Sequence, residues 1–262
     1  MNAVSTSVEP VIRMDRVALA SMQDQNSVVV EDVTWTVQPG DYWVVAGLQG
    51  SGKTDFLMLT GGLMGPVRGD YFFYGQEMPI FEDSRLHERL RLGLVFESAQ
   101  LFNHLTVSEN IALPLRYHKN LTAGDAVAPV QAMLDATELG QWADSTPGAL
   151  GRNWQRRVGL ARALMLKPEI LLLDNPLAGL DFRHLTWWLS FLSDLCHGHP
   201  LVDNRPLTLV TTTADLRPWK GYGREFAILK NRRFIVLGSW GQLEAARDEL
   251  VRELLTTELS SA

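Results

Sequence analysis

Residues 47 to 54 read Gly-Leu-Gln-Gly-Ser-Gly-Lys-Thr, which satisfies the spacing G-x-x-x-x-G-K-[ST]. Gly47, Gly50 and Gly52 permit backbone angles and close approaches that side chains would block, so successive N–H groups can converge on phosphate oxygens at a helix start. Lys53 would bring a point charge to the same oxygens, and the Thr54 hydroxyl would ligate Mg²⁺. The nucleotide-holding residues are therefore Gly47, Leu48, Gln49, Gly50, Ser51, Gly52, Lys53, Thr54 and Asp55. The bland alternative is a glycine-rich turn that only looks like a phosphate loop, and a chance match in this context is about one in a hundred. Such a loop also needs a carboxylate at the end of a neighbouring buried strand to orient the metal. Asp174 ends the run Ile170-Leu171-Leu172-Leu173 in that manner, making Thr54 and Asp174 the candidate metal ligands.

The elements around these residues follow from patterning. Short β-rich runs at 11–19, 28–37, 41–47, 70–74 and 92–97, punctuated by Gly and Pro, make the first third strand-dominated. A helix is expected at 55–63, directly after the loop. From Thr106 to Leu166 helical spacing takes over: Val127, Val130, Met133 and Leu134 recur at three to four residues, and 155–166 repeats the pattern. This block reads as a helical insert. The run 170–173 is continuously apolar and 207–210 is so but for Thr208, as parallel strands buried on both faces are. The helix 185–196 between them makes a right-handed β-α-β crossover. A hairpin (225–229, turn at Asn231, 233–237) and one amphipathic helix from Gln242 complete an α/β chain.

With 262 residues, 46% apolar and 21% charged, the chain can bury one substantial core or two small ones. A net charge of −6 without clustered Lys or Arg excludes nucleic acid as the main partner. The single Cys196 cannot form an intramolecular disulfide and reads as a buried, inert thiol in a reducing compartment. No run approaches the roughly 18 to 20 apolar residues of a bilayer-spanning helix. The first ten residues read as a frayed arm, and 203–206 as a turn. The six His lack metal-ligand spacing and read as surface or loop residues. Arg152, Arg156, Arg157 and Arg162 read as a solvated or nucleotide-facing set, and Trp188 as a core residue packed on the sheet, with Trp187 turned elsewhere.

From Val11 to the C-terminal hairpin the chain resembles the nucleotide-binding subunit of an ABC transporter. The resemblance is carried by GLQGSGKT (47–54), VFESAQLFNHLTVSENIALPL (95–115), RRVGLARALMLKPEILLLD (156–174) and PLAGLD (176–181). The run LFNHLTVSENIALPLRYH, with TGGLMGPVRGD after the phosphate loop, is similar to ATPases of lipid-trafficking systems of the Mla or MCE type, and part of that wording is shared with importer-like and lipoprotein-release ATPases. The resemblance implies the α/β P-loop NTPase fold of an ABC-type cassette over 11–240 with an antiparallel β subdomain, a helical subdomain at about 98–165, and a C-terminal helix over 241–262. It also implies ATP and Mg²⁺ as cofactors and a head-to-tail dimer with itself or with another ABC ATPase. The implied partner is a membrane permease subunit, seated on 102–115, and the implied location is cytoplasmic and peripheral on the inner face of the cell membrane.

Several positions depart from that family pattern. The catalytic Glu after LLLD is Asn175, and an amide cannot take a proton from water. The Gln after VF is Glu97, whose carboxylate could bind the metal or repel the γ-phosphate. The signature LSGGQ is Leu150-Gly151-Arg152-Asn153-Trp154, in which Arg and Trp are expected to crowd the partner's nucleotide. No His lies between Pro200 and the C-terminus, so the switch histidine is missing, and no aromatic lies near Ser21 or Met22 to stack on adenine. Two functions stay open: a slow transport ATPase, and a nucleotide-binding pseudoenzyme that scaffolds a membrane complex without turnover.

Overall fold

The computed structural model describes residues 9–78 and 85–256, so 1–8 of the expected arm and 257–262 of the expected last helix lie outside the described residues. Its antiparallel part is built from β1 (Ile12–Ala20), β2 (Val28–Val37), β4 (Arg68–Phe73) and β5 (Gln76–Glu77). In β2 the apolar Val33, Trp35 and Val37 are buried while Asp32, Thr34 and Thr36 are exposed, the alternation of a sheet with one wet face. The parallel part is β3 (Tyr42–Ala46), β6 (Leu92–Val95), β7 (Ile170–Leu173) and β8 (Thr208–Thr213), ordered β3-β8-β7-β6. The hairpin of β9 (Glu225–Lys230) and β10 (Arg233–Gly238) joins the two parts: β9 lies parallel to β3, and β10 meets β2 at Arg233 and Glu31.

The unbroken apolarity of β7 is explained by two cores, one on each face. Leu171 and Leu173 enter the core that holds Trp188 and Leu192, while Ile170 and Leu172 enter the one that holds Trp35 and Phe56. The expected parallel pairing of 170–173 with the strand from 208 is present, and α6 (Phe182–His197) makes the crossover between them.

The phosphate-loop helix α1 (Lys53–Thr60) starts and stops earlier than the pattern predicts, because Gly52 caps it at φ +88° and the chain leaves it through Gly61 and Gly62. After the short α2 (Leu86–Arg89), the helical insert is built from α3 (Val107–His118), α4 (Val127–Ala136) and α5 (Arg152–Leu164). A reciprocal cap starts α3: Thr106 Oγ1 accepts the Glu109 N–H at 3.1 Å, and Glu109 accepts the Thr106 N–H at 2.8 Å. Buried Asn110 knits the preceding turn, accepting the Phe102 N–H and donating to the carbonyls of Phe102, Leu105 and Thr106.

Three expectations need correction. The closing helix is two helices, α7 (Trp240–Ala245) and α8 (Glu249–Thr256). Asp248 breaks it by accepting the Leu250 N–H at 2.9 Å, the job of a helix cap, while both its oxygens hold Lys230 Nζ. Not every histidine is a surface or loop residue, since His184 is buried on α6 with Nδ1 3.2 Å from an Arg157 nitrogen. Of the two readings of the arginine set, the solvated one fails for Arg156 and Arg157, which are buried. The Arg157 guanidinium lies 3.7 Å from the Trp187 ring centroid and 4.6 Å from that of Trp154, and pairs with Glu138 at 2.7 Å. Trp188 is fully buried as expected. Burial pushes the Cys196 thiol up to about 12, in keeping with an inert sulfur.

Arg157 is thus a packing element whose planar cation fills the space between two indoles. Arg157→Ala is expected to cost about 2–4 kcal/mol by leaving a cavity. Glu138→Gln, at a half-exposed carboxylate, should cost less than about 1 kcal/mol. Urea denaturation of the two variants checks the ordering, and equal losses would show that the ion pair, rather than the packing of the guanidinium, holds Arg157 in place.

Candidate nucleotide site

The phosphate loop leaves the end of β3 and turns into α1 through backbone that only glycine suits. A Cβ at Gly47 would lie 2.4 Å from Ser51 Oγ and 3.0 Å from the Leu229 carbonyl oxygen, and Gly52 sits in the left-handed region. Lys53 Nζ donates to the carbonyls of Gly47 at 2.7 Å and Leu48 at 2.8 Å, which folds the ammonium back over the loop. Burial lowers the Lys53 pKa, and the Asp174 and Glu97 carboxylates raise it against that pull. The Ser51 hydroxyl is buried with no hydrogen-bond partner.

Asp174 stands where β7 ends and is held from both sides. One oxygen accepts the Thr54 hydroxyl at 2.8 Å and the other the Thr212 hydroxyl at 2.8 Å. Thr212 Oγ1 in turn accepts the Asn175 N–H at 3.1 Å, which fixes the backbone of a residue at φ +45°. The Asn175 amide donates to a Glu97 carboxylate oxygen at 2.9 Å. Arg156, on α5, grips the same segment: its Nε donates to the Glu97 carbonyl at 3.0 Å, one guanidinium nitrogen donates to the Ala178 carbonyl, and another lies 3.6 Å from the Glu97 carboxylate.

These groups border a cavity of about 400 Å³, with Gln49, Gly50, Gly52, Lys53, Thr54 and Asp55 on the loop side and Glu97, Asp174, Asn175 and Ala214 opposite. Gly47, Leu48 and Ser51 are not among the residues that border it; the carbonyls of Gly47 and Leu48 hold the Lys53 ammonium, and Ser51 lies against Gly47. Asp55 does more than the sequence implies, because it accepts the Met22 N–H at 2.8 Å and ties the 21–22 turn to α1. A second cavity of about 500 Å³ adjoins Thr54, Glu97 and Asp174 and extends to Arg152, Gln155 and Arg156. The Trp154 ring packs on Trp142, His184 and Arg157, whereas Arg152 is exposed.

The residues fit a nucleotide with its metal. The glycine cradle, the unpartnered Ser51 hydroxyl and Lys53 suit phosphate oxygens, and the hydroxyl-carboxylate pair Thr54 and Asp174 would hold Mg²⁺. Among the described residues no three His, Cys, Asp or Glu cluster to bind a metal, so the rest of the Mg²⁺ shell would come from phosphate and water.

Sequence reading misses Thr212, and it leaves Arg156 within a set read as solvated or nucleotide-facing without assigning its grip on Glu97. The signal for Thr212 is the run of three threonines that ends the strand Thr-Leu-Val-Thr-Thr-Thr, since buried hydroxyls need partners. Thr212→Val keeps the shape and deletes the support of Asp174; it is expected to weaken Mg-nucleotide affinity about 10-fold or more. Titration of a fluorescent ATP analogue with and without Mg²⁺ checks this, and an unchanged affinity would show that Asp174 is oriented without Thr212.

Comparison with known proteins agrees with this geometry. The family model described as ABC transporter matches residues 30–178. The intermembrane phospholipid transport system ATP-binding protein MlaF of Escherichia coli (strain K12) is 31% identical over 233 residues, covering 88% of this chain and 84% of MlaF. The sulfate/thiosulfate import ATP-binding protein CysA of Gloeobacter violaceus is 37% identical over 171 residues, covering 64% of this chain and 48% of CysA. Among solved structures, the dimeric ATP-binding cassette MJ0796 in a post-hydrolysis state with ADP and Pi superposes with TM-score 0.74 at 25% identity, over 85% of this chain and 95% of that one. The cassette cbiO1 from Clostridium perfringens, part of the cbiONQ complex, shares the fold with TM-score 0.76 at 20% identity, over 94% of each chain. The chain thus has the fold of the ATP-binding cassettes and belongs to the ABC transporter family.

Proposed function

We propose that this chain is the ATP-binding subunit of an ABC transporter, that it couples Mg-ATP binding to a membrane permease, and that it hydrolyses ATP slowly. The observation that carries the reading is the joined set of phosphate loop, Lys53 and the Thr54–Asp174 pair around one cavity. Lipid is the proposed cargo, supported by the similarity to MlaF and by the wording of 101–118. Slow turnover is supported by the amide at 175, by Ala214 on the wall of the cavity, by the absence of His after Pro200, and by the altered residues 150–154. A head-to-tail dimer, with itself or with a second ABC ATPase, would bring the partner's 150–154 segment to the nucleotide. The subunit would sit peripherally on the cytoplasmic face of the membrane; among the described residues no helix is long and apolar enough to cross it.

The proposed permease contact is the turn before α3. Phe102, Asn103 and His104 are exposed there, while Val107 and Ile111 one turn on are fully buried in the core. Of the apolar residues that a purely core-filling role would claim (Leu101, Phe102, Leu105 and Val107), Val107 is in the core and half-buried Leu101 packs against it, while Phe102 is exposed. The 97–100 segment that borders the nucleotide cavity is tied to α5 by Arg156 and by Arg162, which donates to the carbonyls of Ala99 and Gln100. A shift at Glu97 would reach α5 and its neighbour α3 through these bonds.

A non-hydrolysing scaffold is the second reading, favoured by Asn175. The two share ATP binding and differ in turnover. Calorimetry is expected to give Mg-ATP binding in the micromolar to millimolar range, weak discrimination between ATP and GTP, and no measurable binding for Lys53→Ala. Equal affinity of Lys53→Ala and the unmodified chain would overturn the phosphate-site assignment. Asn175→Glu alone is not expected to raise turnover to ordinary rates, because groups that act as a unit fail non-additively. For the docking turn, Asn103→Glu with His104→Glu is expected to abolish co-purification with the permease at unchanged thermal stability. A lower melting temperature with association intact would place these residues in the core of the insert instead.

A further inference from the structure

Two departures from the family pattern meet in one hydrogen bond. The positions that carry Gln and Glu in the pattern carry Glu97 and Asn175 here, and the Asn175 amide donates to the Glu97 carboxylate at 2.9 Å. Separately each change looks like damage; together they leave an amide and a carboxylate facing each other with the identities exchanged. We infer that Glu97 is the proton acceptor of this site and that Asn175 positions it. The inference rests on the ATP-binding reading above.

The carboxylates on the cavity single out Glu97. Among the described residues three border it: Asp55, Glu97 and Asp174. Asp174 has one oxygen on Thr54 and the other on Thr212, and would be further committed to Mg²⁺. Asp55 is drawn to the Met22 N–H. Glu97 alone combines a cavity-facing position with a half-exposed side chain, 49% accessible, whose second oxygen has only a loose contact of 3.6 Å with Arg156. Its backbone is pinned by the Arg156 bond to its carbonyl, and one of its oxygens is pinned by Asn175. Asn175 is itself held by the Thr212 bond to its N–H, so the amide donor has a fixed origin. A carboxylate oriented by an amide at one oxygen keeps lone pairs on the other for a water molecule.

The step balances without a further reactant. The water oxygen bonds to the γ-phosphorus as the bond from that phosphorus to the β,γ-bridging oxygen breaks, and ADP leaves with the electron pair. One water proton passes to the free Glu97 oxygen and then to solvent, to which the half-exposed carboxylate is open; the other stays with phosphate.

The test compares four purified full-length chains by release of radiolabelled phosphate over hours, with Mg-ATP affinity measured by calorimetry on each. The unmodified chain should exceed Lys53→Ala, which sets the background. Glu97→Gln keeps size and the hydrogen bond from Asn175 but removes basicity; it should lose at least about 10-fold in kcat with ATP affinity within about 3-fold of the unmodified chain. The exchanged double variant, Glu97→Gln with Asn175→Glu, returns a carboxylate to the other end of the same bond and should recover turnover to within a few-fold of the unmodified chain. A role of Glu97 in merely anchoring Arg156 would give no such recovery. Glu97→Gln turning over at the unmodified rate, the double variant remaining at the Glu97→Gln level, or an ATP-binding unmodified chain no faster than Lys53→Ala would each overturn the assignment. Absence of ATP binding by the unmodified chain would overturn the underlying reading instead, and the calorimeter reports it separately.

Discussion

The site depends on one carboxylate held by two hydroxyls. Asp174 receives Thr54 from α1 and Thr212 from β8, so a single side chain ties the phosphate loop to two adjacent strands. An ionised carboxylate accepts several hydrogen bonds, and here it accepts them from elements that are far apart in sequence. Once Asp174 is placed, the position of Asn175 follows, because Thr212 also takes its N–H. Glu97 follows in turn through the Asn175 amide. The chain of contacts runs from the loop that would hold phosphate to the segment that enters the helical insert.

Two buried arginines on α5 divide the work of that insert. Arg156 reaches outward to carbonyls at Glu97 and Ala178 and so joins α5 to the ends of β6 and β7. Arg157, the next residue, points the other way into an aromatic slot of Trp154 and Trp187. Burial lowers the pKa of both guanidiniums, yet arginine remains charged in proteins, so each must be matched by acceptors or aromatic faces. That matching locks the rotation of α5 about its axis. Arg162, on the same helix, repeats the outward grip at Ala99 and Gln100. The segment 97–100 therefore moves with α5 or breaks charge-assisted hydrogen bonds.

Much of the fold was legible because its signals are local. The phosphate loop is a contiguous motif, β7 announces two-sided burial by its composition, and the Asn231 hairpin is a turn between two short apolar runs. The strand crossover follows from chain handedness once two parallel strands flank a helix. Less legible were features that depend on what a polar residue finds in space. Arg157 and His184 have the composition of surface residues, and only the indoles and Glu138 brought around them make burial tolerable. The break between α7 and α8 depends on Asp248 meeting Lys230 across the fold. Trp154 looked outward on the signature pattern because nothing in the linear sequence places Trp142 and His184 beside it.

What the sequence determined by itself is the set of atoms available: a glycine-rich loop with Lys53 and Thr54, a carboxylate at 174, an amide at 175 and a carboxylate at 97. What only the tertiary structure decided is their pairing. Residues 97 and 175 are separated by 78 positions, and they meet because β6 lies beside β7 in parallel register, which puts the ends of both strands on the same edge. Side-chain chemistry is written into each residue, but a hydrogen bond requires about 3 Å between two of them, and strand order sets that distance.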